Sequence, residues 1–164
     1  MTTDAFWKII ETARQDDPDP DAVAAAVSTT LEGYSLDEIL EFDRELSQRW
    51  VESYRWDLWA VAYIVNGGCS DDGFAYFRGW LVAKGRKYYE TALADPVRAA
   101  DEAEGDAEEC EDMLSAAAVA YKAKTGNYPA HPKTGVTFPK EPAGKPWDED
   151  ELEELYPSLW ERFT

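Results

Sequence analysis

From Ser35 to Val65 no glycine or proline interrupts the chain, and Leu36, Ile39, Leu40, Leu46 and Trp50 recur at the three- and four-residue spacing of one helical face. Ser35, with Glu38 three residues on, is a capping-box pair that opens this run. The spacing predicts one long helix or two abutting ones. A half-buried strand does not fit such a stretch, because its faces repeat every second residue. Between Trp50 and Trp59, the residues Val51, Tyr54, Trp56 and Leu58 point in several helical directions, which places this segment centrally in a fold.

The same signature recurs elsewhere. Thr3 or Asp4 caps a first helix carrying Phe6, Ile9, Ile10 and Ala13, and Asp19-Pro20 starts a second with Val23, Val27 and Leu31, closed by Gly33. Asn66-Gly67-Gly68 is a stop, after which Ser70, Asp71 and Asp72 supply capping oxygens for a helix holding Phe74, Phe77, Trp80 and Leu81, closed by Gly85. A short helix with Tyr88, Tyr89, Ala92 and Leu93 follows, and Asp95-Pro96 reads as a cap and a further helix start. Behind an acidic run, Cys110, Met113, Leu114, Ala117, Ala118 and Tyr121 form a stripe that stops at Gly126. Asp148 caps a last short helix with Leu152, Leu155 and Tyr156, and the tail bearing Leu159, Trp160 and Phe163 is too aromatic to be left in water. Residues 127–146, with five prolines, three lysines and the single histidine, are expected to be irregular. Lys133, Lys140 and Lys145, with Tyr128, Val136 and Phe138, suit this segment to lie as a strap across an acidic body. The expectation is an all-α fold: residues 1–164 as a single compact multi-helix domain, with the irregular proline-rich segment near the C-terminus.

Charge narrows the partners. Sixteen Lys and Arg against thirty-four Asp and Glu give a net charge of −18, which opposes contact with phosphate backbones and anionic lipid, so neither nucleic acid nor membrane is expected. The longest apolar run, Leu58 to Val65, is far short of the roughly 18 residues that span a bilayer, and Met1 to Ile10 carries no basic lead into an apolar stretch. Only Cys69 and Cys110 occur, too few for a disulfide framework and without metal-ligand spacing, so reduced thiols, a cytoplasmic location and no metal are expected. Two partner classes fit such a chain: a basic protein, or a small anionic ligand. No glycine-rich phosphate fingerprint or other cofactor motif is present in the sequence, so no cofactor is implied.

The segment Leu58-Trp59-Ala60-Val61-Ala62-Tyr63-Ile64-Val65-Asn66-Gly67-Gly68-Cys69-Ser70-Asp71-Asp72-Gly73-Phe74-Ala75-Tyr76-Phe77-Arg78-Gly79-Trp80-Leu81, continued by Gly85-Arg86 and Asp95-Pro96, resembles the signature of the domain of unknown function 4240 family. Phe6-Trp7 and the terminal Tyr156-Pro157-Ser158-Leu159-Trp160 extend the likeness over nearly the whole chain. The resemblance implies a small, mostly bacterial, soluble domain, and it assigns no activity or site.

One unit has the residue types of a site. Gly67 to Arg86 combines a glycine turn, helix-start amides, Asp71, Asp72, Arg78 and Arg86, and Arg78 follows Asp71 by two helical turns on the same face. Two readings stand side by side. In one, Ser70 or Asp72 caps the helix and Arg78 braces the loop. In the other, Arg78 and Arg86 hold an anionic group at the rim of an aromatic pocket, with Asp71 or Asp72 as base or orienter. Cys69 has a helix start in its favour as a nucleophile and two neighbouring aspartates against it. The acidic run Asp101 to Asp112 lacks a calcium-loop pattern and reads as solvated surface. A binding or interaction module with a strongly acidic surface is therefore the first expectation; an enzyme or small-ligand domain built on Asp71, Asp72, Arg78 and Arg86 is the alternative.

Overall fold

Side-chain caps open four of the helices in the computed structural model, which describes residues 1–105, 107–130 and 134–164. Among the described residues there are nine α-helices and no strand: α1 (Thr3–Asp16), α2 (Pro20–Leu31), α3 (Leu36–Glu52), α4 (Trp56–Val65), α5 (Asp71–Ala83), α6 (Arg86–Ala94), α7 (Glu111–Thr125), α8 (Leu152–Leu155) and α9 (Pro157–Phe163). The fold is all-α, as the spacing predicts. Asp19 accepts from Ala22 N–H at 3.1 Å ahead of Pro20, and Ser35 and Glu38 bond each other's backbone at 3.2 and 2.9 Å. Two caps differ from the expectation, and one is decided between its two candidates. Thr2 rather than Thr3 or Asp4 caps α1, Ser70 rather than Asp72 caps α5, and Asp95 caps nothing with its side chain. The five residues after Asp95 form a 3-10 turn, Pro96–Ala100, instead of an α-helix.

Of the two possibilities for Ser35 to Val65, two helices are realised. Ser53 donates its hydroxyl to the carbonyls of Arg49 (2.9 Å) and Trp50 (3.2 Å), closing α3 with a side chain where the backbone would otherwise continue. Beyond it the chain is extended, and Tyr54 O and Trp56 N–H each bond Ala143 at 2.9 Å in a short parallel bridge. The break between α3 and α4 thus exists together with the proline-rich segment that pairs with it.

The core joins every long helix. Phe6 of α1 lies 4.7 Å from Phe42 of α3, ring centre to ring centre, and both are fully buried. On α7 the buried stripe is Met113, Ala116, Ala117 and Ala120, turned from the predicted one so that Leu114, Ala118 and Tyr121 sit at its half-buried edge. The reason is size: alanines let α7 close on α2, where Ser28 donates to Ala116 O at 3.0 Å.

The C-terminal aromatics dock, and what reads in sequence as a tail is the helix α9. Trp147 donates to Trp56 O at 2.7 Å and meets Tyr63 edge-on at 5.5 Å; Leu152 and Leu159 are buried, and Arg162 reaches Ala100 O and Ala103 O at 3.0 Å each. Within the proline-rich segment Phe138 meets Trp50 edge-on at 5.8 Å, whereas Tyr128 packs against Lys122 and is exposed. Lys140 and Lys145 form no ion pair among the described residues, and His131 and Lys133 lie outside them. Backbone bonds and aromatic contacts hold the segment, in keeping with the small worth of surface lysine contacts. No helix among the described residues is long and apolar enough to cross a membrane.

Candidate functional site

After α4 the chain must reverse in two residues, and Gly67 (φ 65°) and Gly68 (φ 116°) take the positive φ values this requires. Trp59 then fixes the loop by donating its indole N–H to Cys69 O at 2.9 Å, and Ser70 caps α5 through Gly73 N–H at 3.1 Å. With Ser70 as the cap, both aspartates are free to project at the exposed first turn. Asp71 accepts the Tyr54 hydroxyl at 3.1 Å.

Two turns further on, Arg78 is buried, with 6% of its surface exposed. Its Nε donates to Phe74 O at 3.3 Å and its Nη1 to Trp50 O at 2.8 Å, so the guanidinium rests on the C-terminal end of α3, where the helix dipole favours a cation. The rings of Tyr54, Phe74 and Trp50 surround it, with centres 4.6, 4.8 and 5.1 Å from Cζ. No carboxylate lies within ion-pair distance of it among the described residues, and Nη2 has no protein acceptor there. Burial lowers the Arg78 pKa to about 10, which still leaves it charged at neutral pH.

Arg78 lines a cavity of about 420 Å³. Trp50, Tyr54, Tyr76 and Phe138 give it aromatic walls, Leu114 an apolar patch, and Asp71, Asp72 and Lys140 charged groups. Arg78, Asp71 and Asp72 are therefore brought together. Arg86 is not: it lies outside the cavity lining, half-exposed and bonded to Asp4 and Glu90 at 2.7 Å each, with its backbone N–H held by Glu11 at 2.9 Å. Residue spacing within α5 predicts the Asp71–Arg78 face. Trp50, Tyr54, Phe138 and Lys140 escape a sequence reading because they arrive from α3, the interhelix link and the proline-rich segment; the one available sign is the aromatic excess around Trp50 to Trp59.

Cys69 is poorly suited to attack. Burial, then the nearby Glu109 carboxylate, push its thiol up to about 12, and Cys110 is likewise raised to about 12 by burial. Native protein is expected to react with iodoacetamide at pH 8 at least about tenfold more slowly than urea-unfolded protein, because the thiolate is the reactive form. Mass spectrometry of the alkylated chain checks this; equal rates would mean an accessible, activated thiol. Among the described residues no group of three or more His, Cys, Asp or Glu side chains is placed to hold a metal ion.

A family model described as "Protein of unknown function (DUF4240)" matches residues 1–123. The match does not reach the terminal Tyr156-Pro157-Ser158-Leu159-Trp160, so the likeness is shown for residues 1–123 and not for nearly the whole chain. No curated protein and no solved structure matches the chain.

Proposed function

The chain belongs to the DUF4240 family, and from the geometry of its cavity we propose that it is a binding module that takes a small organic anion against Arg78. One observation carries this reading: a buried guanidinium with no carboxylate partner among the described residues lines an aromatic-walled cavity of about 420 Å³. Desolvating a charge is costly, and helix-end carbonyls and ring faces offset only part of that cost. An anionic ligand group would complete the arrangement by accepting from Nη2, with a flat apolar body resting against the aromatic wall that Trp50, Tyr54 and Phe138 form. Asp71 and Asp72 at the rim oppose a second negative charge, so a singly charged ligand, or one with a positive group to meet them, fits best. Binding is preferred to catalysis because Asp71 is engaged by Tyr54 and the Cys69 thiol is held protonated. A basic protein partner rests on the net charge of −18 alone.

The test uses Trp50 as a reporter. Small carboxylates and phosphate monoesters with aromatic bodies are screened by quenching of tryptophan fluorescence. A binder is expected to lose at least about tenfold in affinity in Arg78→Lys, whose ammonium cannot reproduce the planar fork, and to keep its affinity in Arg86→Lys. Equal binding by Arg78→Lys, measured well below its melting temperature, would sink the proposal.

A further inference from the structure

A second cleft, of about 320 Å³, shares no lining residue with the Arg78 cavity and gathers Arg14, Lys84, Lys87 and Arg98 around Tyr88 and Thr91. These four cations come from four segments: the last turn of α1, the end of α5, α6, and the 3-10 turn Pro96–Ala100. Their convergence runs against the composition of the chain, in which acids outnumber bases by more than two to one. Asp101 and Glu102 line the cleft with them and Glu11 pairs with Arg14, so among the described residues the four cations and their three carboxylates leave a surplus of one positive charge, that of Lys87, in a chain of net charge −18.

Three of the four cations are paired within the chain. Arg98 Nε meets Asp101 at 2.6 Å and Lys84 meets Glu102, yet the side chains of Asp101 and Glu102 remain 46% and 59% exposed. Such carboxylates are weakly held and can swing into water when a stronger anion arrives. Lys84 by contrast is fixed: its ammonium stands 5.2 Å from the Tyr88 ring centre and its side chain is only 17% exposed. Arg14 is held through Glu11 at 3.1 Å, and its buried Nε has no acceptor among the described residues. Lys87 has no ion-pair partner among them and is exposed at the rim.

We infer that this cleft binds a soluble phosphate compound carrying at least two adjacent phosphate charges. A single carboxylate accepts from one or two cations, whereas a diphosphate presents acceptor oxygens on several sides and can engage more of the four at once. The Thr91 hydroxyl adds a neutral donor on the same wall. Displacement of Asp101 and Glu102 makes binding an exchange of anions, so it weakens as salt rises.

Titration calorimetry with inorganic pyrophosphate, in metal-free buffer at low ionic strength, tests the inference. Wild type is expected to bind with an affinity that falls as sodium chloride is raised, and orthophosphate is expected to bind at least about tenfold more weakly. The double variant Lys87→Ala/Arg98→Ala changes two exposed side chains and is expected to keep the wild-type circular-dichroism spectrum while losing at least about tenfold in pyrophosphate affinity. Arg78→Lys is expected to bind pyrophosphate as wild type does, which separates this site from the aromatic cavity. No binding to wild type, equal binding of orthophosphate and pyrophosphate, or unchanged affinity in the double variant would each overturn it.

Discussion

Ending the chain at Gly126 is expected to abolish its cooperative thermal transition, even though the family match stops at residue 123. Residues 127–164 supply part of the core. Leu152 is fully buried and Leu159 is 5% exposed, and removing a buried leucine side chain costs about 2–5 kcal/mol. Trp147 covers Trp56, Trp59 and Tyr63, and Arg162 satisfies Ala100 O and Ala103 O, so the shortened chain loses those contacts as well. Domains of this kind hold only about 5–15 kcal/mol in total, so these losses together approach the whole stability. Circular-dichroism melting and binding of a hydrophobic dye report the outcome. A shortened protein that melts cooperatively within a few degrees of the full chain would show that the C-terminal helices decorate the core rather than complete it. Shortening also removes Phe138, Pro139 and Lys140, one side of the Arg78 cavity, so ligand binding there is expected to fail with folding.

The elements that could be read from sequence are those governed by neighbours along the chain. The Ser35–Glu38 box, the Asp19-Pro20 start, the Gly126 stop and the stripe of α1 each depend on residues within a turn of one another. What could not be read depends on partners distant in sequence. The break after Glu52 needs Ala143, and the turned stripe of α7 needs the approach of α2. The site divides in the same way: Asp71, Asp72 and Arg78 are legible as one face of α5, whereas the Trp50 and Phe138 walls arrive by tertiary packing. Arg86 belongs to the same sequence unit, but helix α6 starts in a new direction after Gly85 and carries it to Asp4 and Glu90. Proximity in sequence is not proximity in space once a helix has ended.

Replacing Gly79 with alanine is expected to lower stability by about 3 kcal/mol, near the top of the usual range for overpacking. On propensity alone the change would be favourable, since glycine inside a helix is worse than alanine by about 0.5–1 kcal/mol. Packing reverses the sign. A methyl group at position 79 would overlap the carbonyl oxygen of Cys110 and lie 3.3 Å from its carbonyl carbon and 3.5 Å from Leu114 Cγ. The first obstacle is backbone, which cannot rotate away as a side chain can. Nor can that strand of chain retreat freely, because Cys110 N–H donates to Tyr76 O at 3.0 Å and its buried side chain faces Pro20 O at 3.4 Å. Helices α5 and α7 must therefore separate, losing that bond and loosening the buried Met113 and Phe77. For a chain of this length the melting temperature should fall by roughly 6–12 °C. The same separation moves Tyr76 on α5 away from Leu114 on α7, two residues that line the Arg78 cavity, so a ligand bound there should weaken in Gly79→Ala even at temperatures where the variant is folded. Gly73 on the same helix is the control: a methyl there would come no closer than 3.4 Å to the Ser70 hydroxyl oxygen, so Gly73→Ala should leave the melting temperature unchanged or higher. A melting temperature for Gly79→Ala at or above wild type would mean that α5 and α7 are not packed backbone to backbone.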